Sequence, residues 1–401
     1  MATIRWIGTA TAVAQVDTLT VGGTIEATDI FNITVTGRDG ATTVVTYTAV
    51  DTVIATVVAG LVSAWNTSTN ALCTGITAAD TSPTLTLTAD TAGVGFSVAV
   101  ETTEAGGGGA DTQTFTRAAT TANAGPNDWS TASNWSTGAV PDGAHDVYVE
   151  GATIYYGLDQ SGITTLTSLS IATSQIGVNP AYGRAPNYLQ TKATTVSLGA
   201  YTGPSTPTQL APINIDTGAT ESTISVYSSG SNTTLPGVRI KAASASTNIN
   251  VYKGSVGVAY IDGETSTVGV ISCSFDTNRQ TDANVYIGAG VTLTTLTKTG
   301  GDGVLSCAAT TVTNTNGTLE TNGSGAIITL VVKGGTVNPN STGTITTATL
   351  TGGRTIFTTS SAARTVTTIT LDSDATLTYD PAVLTITNKV SSTNEVTLTA
   401  I

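Results

Sequence analysis

The chain has 401 residues, room for two or three domains, and only 10% of them are Asp, Glu, Lys or Arg, against about 25% in ordinary soluble proteins. Hydrophobic residues reach 39% and aromatics 5%; Thr fills the place of the missing charge, and as a β-branched hydroxyl residue it favours extended backbone while keeping an exposed face wet, so a folded, β-rich chain is expected rather than a disordered one. A formal net charge of −13 with no basic run argues against nucleic acid as a partner, and no apolar run approaches the roughly 18 to 20 residues that span a bilayer.

The first element in chain order is a hairpin, with apolar residues alternating at Phe31, Ile33 and Val35 and again at Val45, Tyr47 and Ala49 across the turn Gly37-Arg38-Asp39-Gly40. A helix follows between Asp51 and Asn66: Ile54, Val57, Val58, Leu61, Val62 and Trp65 draw one apolar stripe, with Asp51 or Thr52 as the N-cap. Leu85 and Leu87, then Phe96, Val98 and Val100, complete a compact α+β domain over residues 1–118, an antiparallel sheet with one helix against it. The glycine run Gly106–Gly109 and the Thr, Ala and Asn residues from Ala118 to Ala124 read as a flexible boundary.

Residues 119–160 form a linker and a tryptophan-rich cap. Trp129 and Trp135 lie close together in an aromatic-poor chain; packed against each other they would cover the first rung of a solenoid, whose open edge otherwise invites aggregation. Two ordinary core aromatics are the alternative. From residue 161 to 401 the chain becomes self-similar. Apolar-Thr-Thr-apolar segments recur at Ile163–Leu166, Leu293–Leu296, Ile345–Ala348 and Val366–Ile369. Turn pairs punctuate them at a nearly constant interval: Gly300-Gly301, Asn316-Gly317, Gly334-Gly335, Gly352-Gly353 and Ser373-Asp374. One coil per repeat of about 18 residues is the expectation. Between about 170 and 290 the register is open, and a stacked β-sandwich competes there. The fold class is mainly β: a small N-terminal α+β domain followed by a Thr-rich parallel β-helix, or β-solenoid.

Chemistry-bearing residues are sparse. Cys73, Cys273 and Cys307 cannot all pair and read as buried hydrophobes; Cys273 and Cys307, separated by nearly two of these intervals, fit inward positions two coils apart. His145 is the single histidine, either a base oriented by Asp146 or an exposed loop residue. Glycosidases use two carboxyls across the scissile bond, and Asp262 with Glu264 or Asp372 with Asp374 are the candidate pairs, although Asp in turns normally bonds its own backbone. Tyr155, Tyr156, Tyr182 and Tyr188 form a cluster that either touches a glycan, through Tyr155 and Tyr156 first, or packs within the cap. No catalytic constellation, cofactor loop or metal motif is present in the pattern, and a non-enzymatic protein is expected.

The pattern from Phe31-Asn32-Ile33-Thr34-Val35 through the helix to Trp65, Leu85–Ala89 and Gly93–Phe96 resembles a small domain of tailed-bacteriophage structural proteins. Gly125-Pro126-Asn127-Asp128-Trp129, Asn134-Trp135-Ser136 and Val140-Pro141-Asp142-Gly143 resemble the opening of β-helical phage fibres and bacterial surface proteins. The resemblance implies a virion protein of the capsid decoration, head-fibre or tail-fibre type: an attachment domain followed by a projecting β-helix, often a homotrimer. Its implied partners are other virion proteins such as the major capsid protein, and a host surface glycan. The chain opens without a basic n-region and apolar h-region, so the expectation is assembly in the host cytoplasm. A cell-surface adhesin and a polysaccharide-binding or -cleaving tailspike are the alternatives.

Overall fold

The structure is a computed structural model and describes residues 2–37, 41–104, 112–150, 165–172, 188–200, 213–229, 236–274, 283–391 and 398–400. It is mainly β, with 56% strand and 6% helix, a small N-terminal α+β region and a parallel β-solenoid. Two parallel sheets of 13 and 11 strands enclose one continuous core. From the strand Leu166–Ala172 onward, each described coil contributes one strand to each sheet.

Inward side chains stack coil on coil. One column runs Leu169, Val196, Ile224, Ile249, Ile271, Leu296, Val312, Leu330, Ala348 and Ile369, all fully or almost fully buried. A single coil cannot hide its apolar side; the neighbours above and below do so. The column's own numbering shows where the repeat is regular. Its members are widely and unevenly spaced from Leu169 to Leu296, then close and nearly even from Leu296 to Ala348. The short period therefore holds only in the later coils. Earlier coils are longer because more chain connects the larger sheet to the smaller, as at 173–188 and 201–212, against 315–317 and 333–335 later. The stretch from 170 to 290 is solenoid wherever it is described, not a sandwich.

The recurring apolar-Thr-Thr-apolar unit marks a bend. In the strands Ala309–Asn314, Ile327–Val332 and Ile345–Leu350, two consecutive residues face outward between two buried ones. The turn pairs also have a geometric cause. Gly317 and Gly335 adopt φ of +71° and +70°, and a Cβ there would stand 2.0 Å from the carbonyl oxygen of Gly301 and 2.3 Å from that of Gly317. Left-handed backbone and coil-to-coil crowding both demand glycine.

At the same corner the inward column turns polar. Cys273, Lys298 and Asn314 are successive register partners and all are 0% exposed. Lys298 Nζ donates to the Asn316 carbonyl at 2.8 Å, and Asn314 Nδ2 to that of Gly334 at 2.8 Å. Each side chain thus reaches a turn carbonyl one coil further on, where an unpaired carbonyl would be costly. Cys307 is buried too, but at the opposite corner, between the strands Asp302–Leu305 and Ala309–Asn314. The two thiols are not in one column. The chain between them covers one long coil, from Cys273 to its register partner Lys298, and only part of the next, shorter one.

The small domain holds two antiparallel sheets, not one. The strands Ile76–Thr81, Thr84–Ala89, Val16–Gly22 and Thr114–Thr121 lie side by side in that order, and Ile30–Gly37 lies between Thr42–Thr48 and Phe96–Thr103. The helix Ile54–Asn66 buries Val57, Val58, Leu61 and Trp65. Its N-cap is Val53 rather than Asp51 or Thr52; Asp51 Oδ1 instead accepts from the Val53 amide at 2.9 Å. The hairpin pairs Phe31 with Tyr47, while residues 38–40 of its turn and the glycine run at 106–109 lie outside the described residues. Residues 118–121, which composition assigns to a boundary, continue an exposed edge strand paired with Val16–Gly22, because small Ala and Thr residues suit an exposed edge as well as a linker.

The first described strand is not part of this domain. Ala2–Arg5 pairs in parallel with His145–Val149 and forms the first strand of the 13-stranded sheet. The small domain is an insertion between the first two strands of the solenoid, entered and left side by side where Val13 bridges Ala124.

Candidate functional surfaces

Trp129 and Trp135 meet Trp6 at the end of the core. Trp135 stands edge-on to Trp6 at 4.9 Å and to Trp129 at 4.7 Å, and its Nε1 donates to the Trp129 carbonyl at 2.9 Å. Asn134 beside it is 0% exposed: its Nδ2 donates to the carbonyls of Gly125 and Asp128, and its Oδ1 accepts from the Ala10 amide. The Asn-Trp-Ser motif thereby ties the two connections of the inserted domain to the first strand, since Ser136 also exchanges two hydrogen bonds with Arg5. Sequence pattern does not single out Trp6, which sits just beyond a short strand that no local periodicity reveals.

The catalytic candidates do not converge. His145 Nδ1 lies 2.6 Å from Asp142 Oδ1, not against Asp146, whose carboxylate accepts from Ser168 Oγ at 2.7 Å. The cause is alternation: in the strand His145–Val149 consecutive residues point to opposite sides. Asp262 is exposed beside Gly263, whereas Glu264 is half-buried and takes both a bond from Tyr188 Oη, at 2.9 and 3.0 Å to its two oxygens, and one from the Ile261 amide at 3.2 Å. Burial first, and the Glu264 charge second, push the Tyr188 hydroxyl well above the usual phenol range. Asp372 accepts from its neighbour Ser373 in an exposed turn on the opposite edge of the solenoid. Tyr155, Tyr156 and Tyr182 lie outside the described residues.

The thiols are shielded. Burial is the largest cause that pushes both Cys273 and Cys307 up to about 12; the nearby Lys298 charge partly opposes it at Cys273. Among the described residues no group of three or more His, Cys, Asp or Glu is arranged to hold a metal ion, and no helix is long and apolar enough to cross a membrane.

Between its charged end strands, which carry Arg5, Asp146 and Lys389, the outside of the 13-stranded sheet has two uncharged columns. One outward column runs from Ser168 to Asn388 through Thr295, Thr311, Thr329, Thr347 and Thr368. Two positions along each strand, a second runs from Ser170 to Val390 through Thr297, Thr313, Val331, Thr349 and Thr370. Both consist of Ser, Thr, Asn and Val alone. At about 4.8 Å per coil they make a flat neutral strip along the solenoid.

No protein-family model, curated protein or solved structure matches the chain.

Proposed function

We propose that this chain is a non-enzymatic structural protein of a bacteriophage particle, of the capsid decoration or fibre type, and that it works as a homotrimer. The observation that carries the reading is the uncharged strip on the 13-stranded sheet, in a chain whose net charge is −13. Like-charged copies repel over most approaches. Three strips turned toward a common threefold axis bring the copies together where no charge must be desolvated or opposed. Thr and Val methyls supply apolar contact along the later coils.

The inserted domain suits attachment to other virion proteins such as the major capsid protein. Within a short stretch of chain it exposes Val44 at 55%, Val50 at 71% and Val53 at 51%. The carboxylate pairs support a structural role rather than glycan cleavage, since Glu264 is held by Tyr188 and Asp372 by its own turn. Residence in the virion, after assembly in the host cytoplasm, follows from this reading.

Light scattering tests it. The expected mass is that of three chains, and Thr311→Lys with Thr347→Lys, which places like charges on the facing strips, should dissociate the complex without lowering the melting temperature of the chain's small domain. A monomeric parent protein, or a trimer indifferent to the two lysines, would overturn the proposal.

A further inference from the structure

The outside of the 11-stranded sheet differs in kind from the neutral strip. In the strand Val238–Lys241, Arg239 and Lys241 alternate with buried residues and so project from the same face. Among the described residues the ion pairs are Arg5–Glu150, Arg117–Asp17 and His145–Asp142, and neither of these two cations takes part. Lys241 Nζ instead lies over the Tyr188 ring, 5.1 Å from its centre. Glu264 and Asp216 act on Tyr188 together with Arg239, and Asp302 acts on Tyr286; the first two already have donors. Glu264 accepts from Tyr188 Oη and the Ile261 amide; Asp216, the register partner of Lys241, accepts from the Gly218 amide at 2.8 Å and from Gln190 Nε2 at 3.2 Å. The guanidinium and the ammonium keep donors for a ligand carboxylate, and the two carboxylates, each with two donor groups, keep part of their acceptor capacity for ligand hydroxyls.

Aromatic rings continue the same face. Arg239 pairs with Gly257, and Gly257 with Tyr286 on the next coil. A Cβ at Gly257 would stand 2.8 Å from Tyr260 Cβ and 2.8 Å from Pro236 Cγ, so the glycine is what allows Tyr260 to lie over the sheet. The Tyr260 and Tyr286 rings are 5.9 Å apart at 73°, and both are partly exposed. Two cations and two tyrosine rings thus occupy three successive coils, a span of roughly 10 to 15 Å.

We propose that this face binds an acidic oligosaccharide, with Arg239 and Lys241 on a sugar carboxylate and Tyr260 and Tyr286 against the C–H faces of adjoining rings. Arg presents a planar fork that matches a carboxylate, Lys a point charge, and aromatic rings supply the apolar contact that sugar hydroxyls cannot. The site deepens the structural-protein reading, as the contact such a protein makes with a cell surface, but its chemistry does not depend on the trimer.

Calorimetric titration of the full-length protein with tetrasaccharides of galacturonate, glucuronate and sialate, and with neutral galactotetraose as control, tests the inference. The expected result is that at least one acidic tetrasaccharide binds at least about tenfold more tightly than the neutral one, with affinity falling as salt rises. Arg239→Gln and Tyr286→Ala should each weaken that binding by about tenfold or more while the melting temperature and solution mass stay those of the parent. No binding of any acidic probe, equal binding of the neutral one, or affinity unchanged in both variants would overturn the proposal. Since the titration requires no particle and reads no mass change, a failed trimer and a failed glycan site give different results.

Discussion

Replacing Trp135 by alanine removes a ring that is 1% exposed and edge-on to both Trp6 and Trp129. Burying roughly 200 Å² at about 25 cal/mol/Å² corresponds to about 5 kcal/mol, and buried aromatic-to-alanine changes cost about 3–5 kcal/mol. A loss of about 4 kcal/mol is therefore expected, and it should fall on one end of the molecule. In a solenoid each coil contacts only its neighbours, so an injury at the end frays the nearest coils first. Hydrogen exchange read residue by residue is the assay. Amides of Val147 and Leu169, in the first strands of the large sheet, should exchange roughly a thousandfold faster, while those of Val312 and Leu330 stay protected. Equal loss of protection along all coils, or none anywhere, would refute the view that the three tryptophans close one end of a coil-by-coil stack.

Three further outcomes follow from local structure. Cys273 and Cys307, with thiols pushed up to about 12, should resist a thiol reagent at mildly alkaline pH in the native protein and react at once in denaturant; rapid native labelling under those conditions would contradict their burial. In the unfolded chain these thiols ionise at about 8.5, so between that value and about 12 the folded state holds protons that the unfolded state has released, and stability should fall as pH rises through that window. Gly335→Ala and Gly138→Ala make a matched pair, with φ of +70° and +68°. Only the first puts a Cβ 2.3 Å from a neighbouring carbonyl oxygen; around Gly138 nothing lies within 4 Å. Gly138→Ala should cost about 1–2 kcal/mol in denaturant titration, and Gly335→Ala clearly more; equal costs would mean that backbone strain alone decides.

Local patterns carried the β character, the helix at Trp65 and the period of the later coils. Those features arise within one coil or one turn: alternation hides every second side chain, glycine is required where backbone turns left-handed, and short connections keep the spacing regular. Where coils lengthen, as from Leu169 to Val196 and on to Ile224, the connections vary freely, and periodicity disappears although the stacking does not. The outer face that carries Arg239 and Tyr286 was not legible for the same reason. Arg239, Gly257 and Tyr286 stand on three different coils, and only coil-to-coil register makes them neighbours.

Composition and short-range pattern are enough to specify a Thr-rich parallel solenoid with a small α+β domain near its start. Long-range packing is what inserts the small domain within the solenoid, brings Trp6 to Trp129 and Trp135, and lets Lys298 sit inside the core. Each of these depends on a partner that chain folding brings from far away: Ala2 beside His145, or the Lys298 ammonium on a carbonyl one coil above. Backbone hydrogen bonds between parallel strands are the same for any residue, so the choice of distant partner is made by which apolar faces can be buried together, and that is a property of the assembled coils.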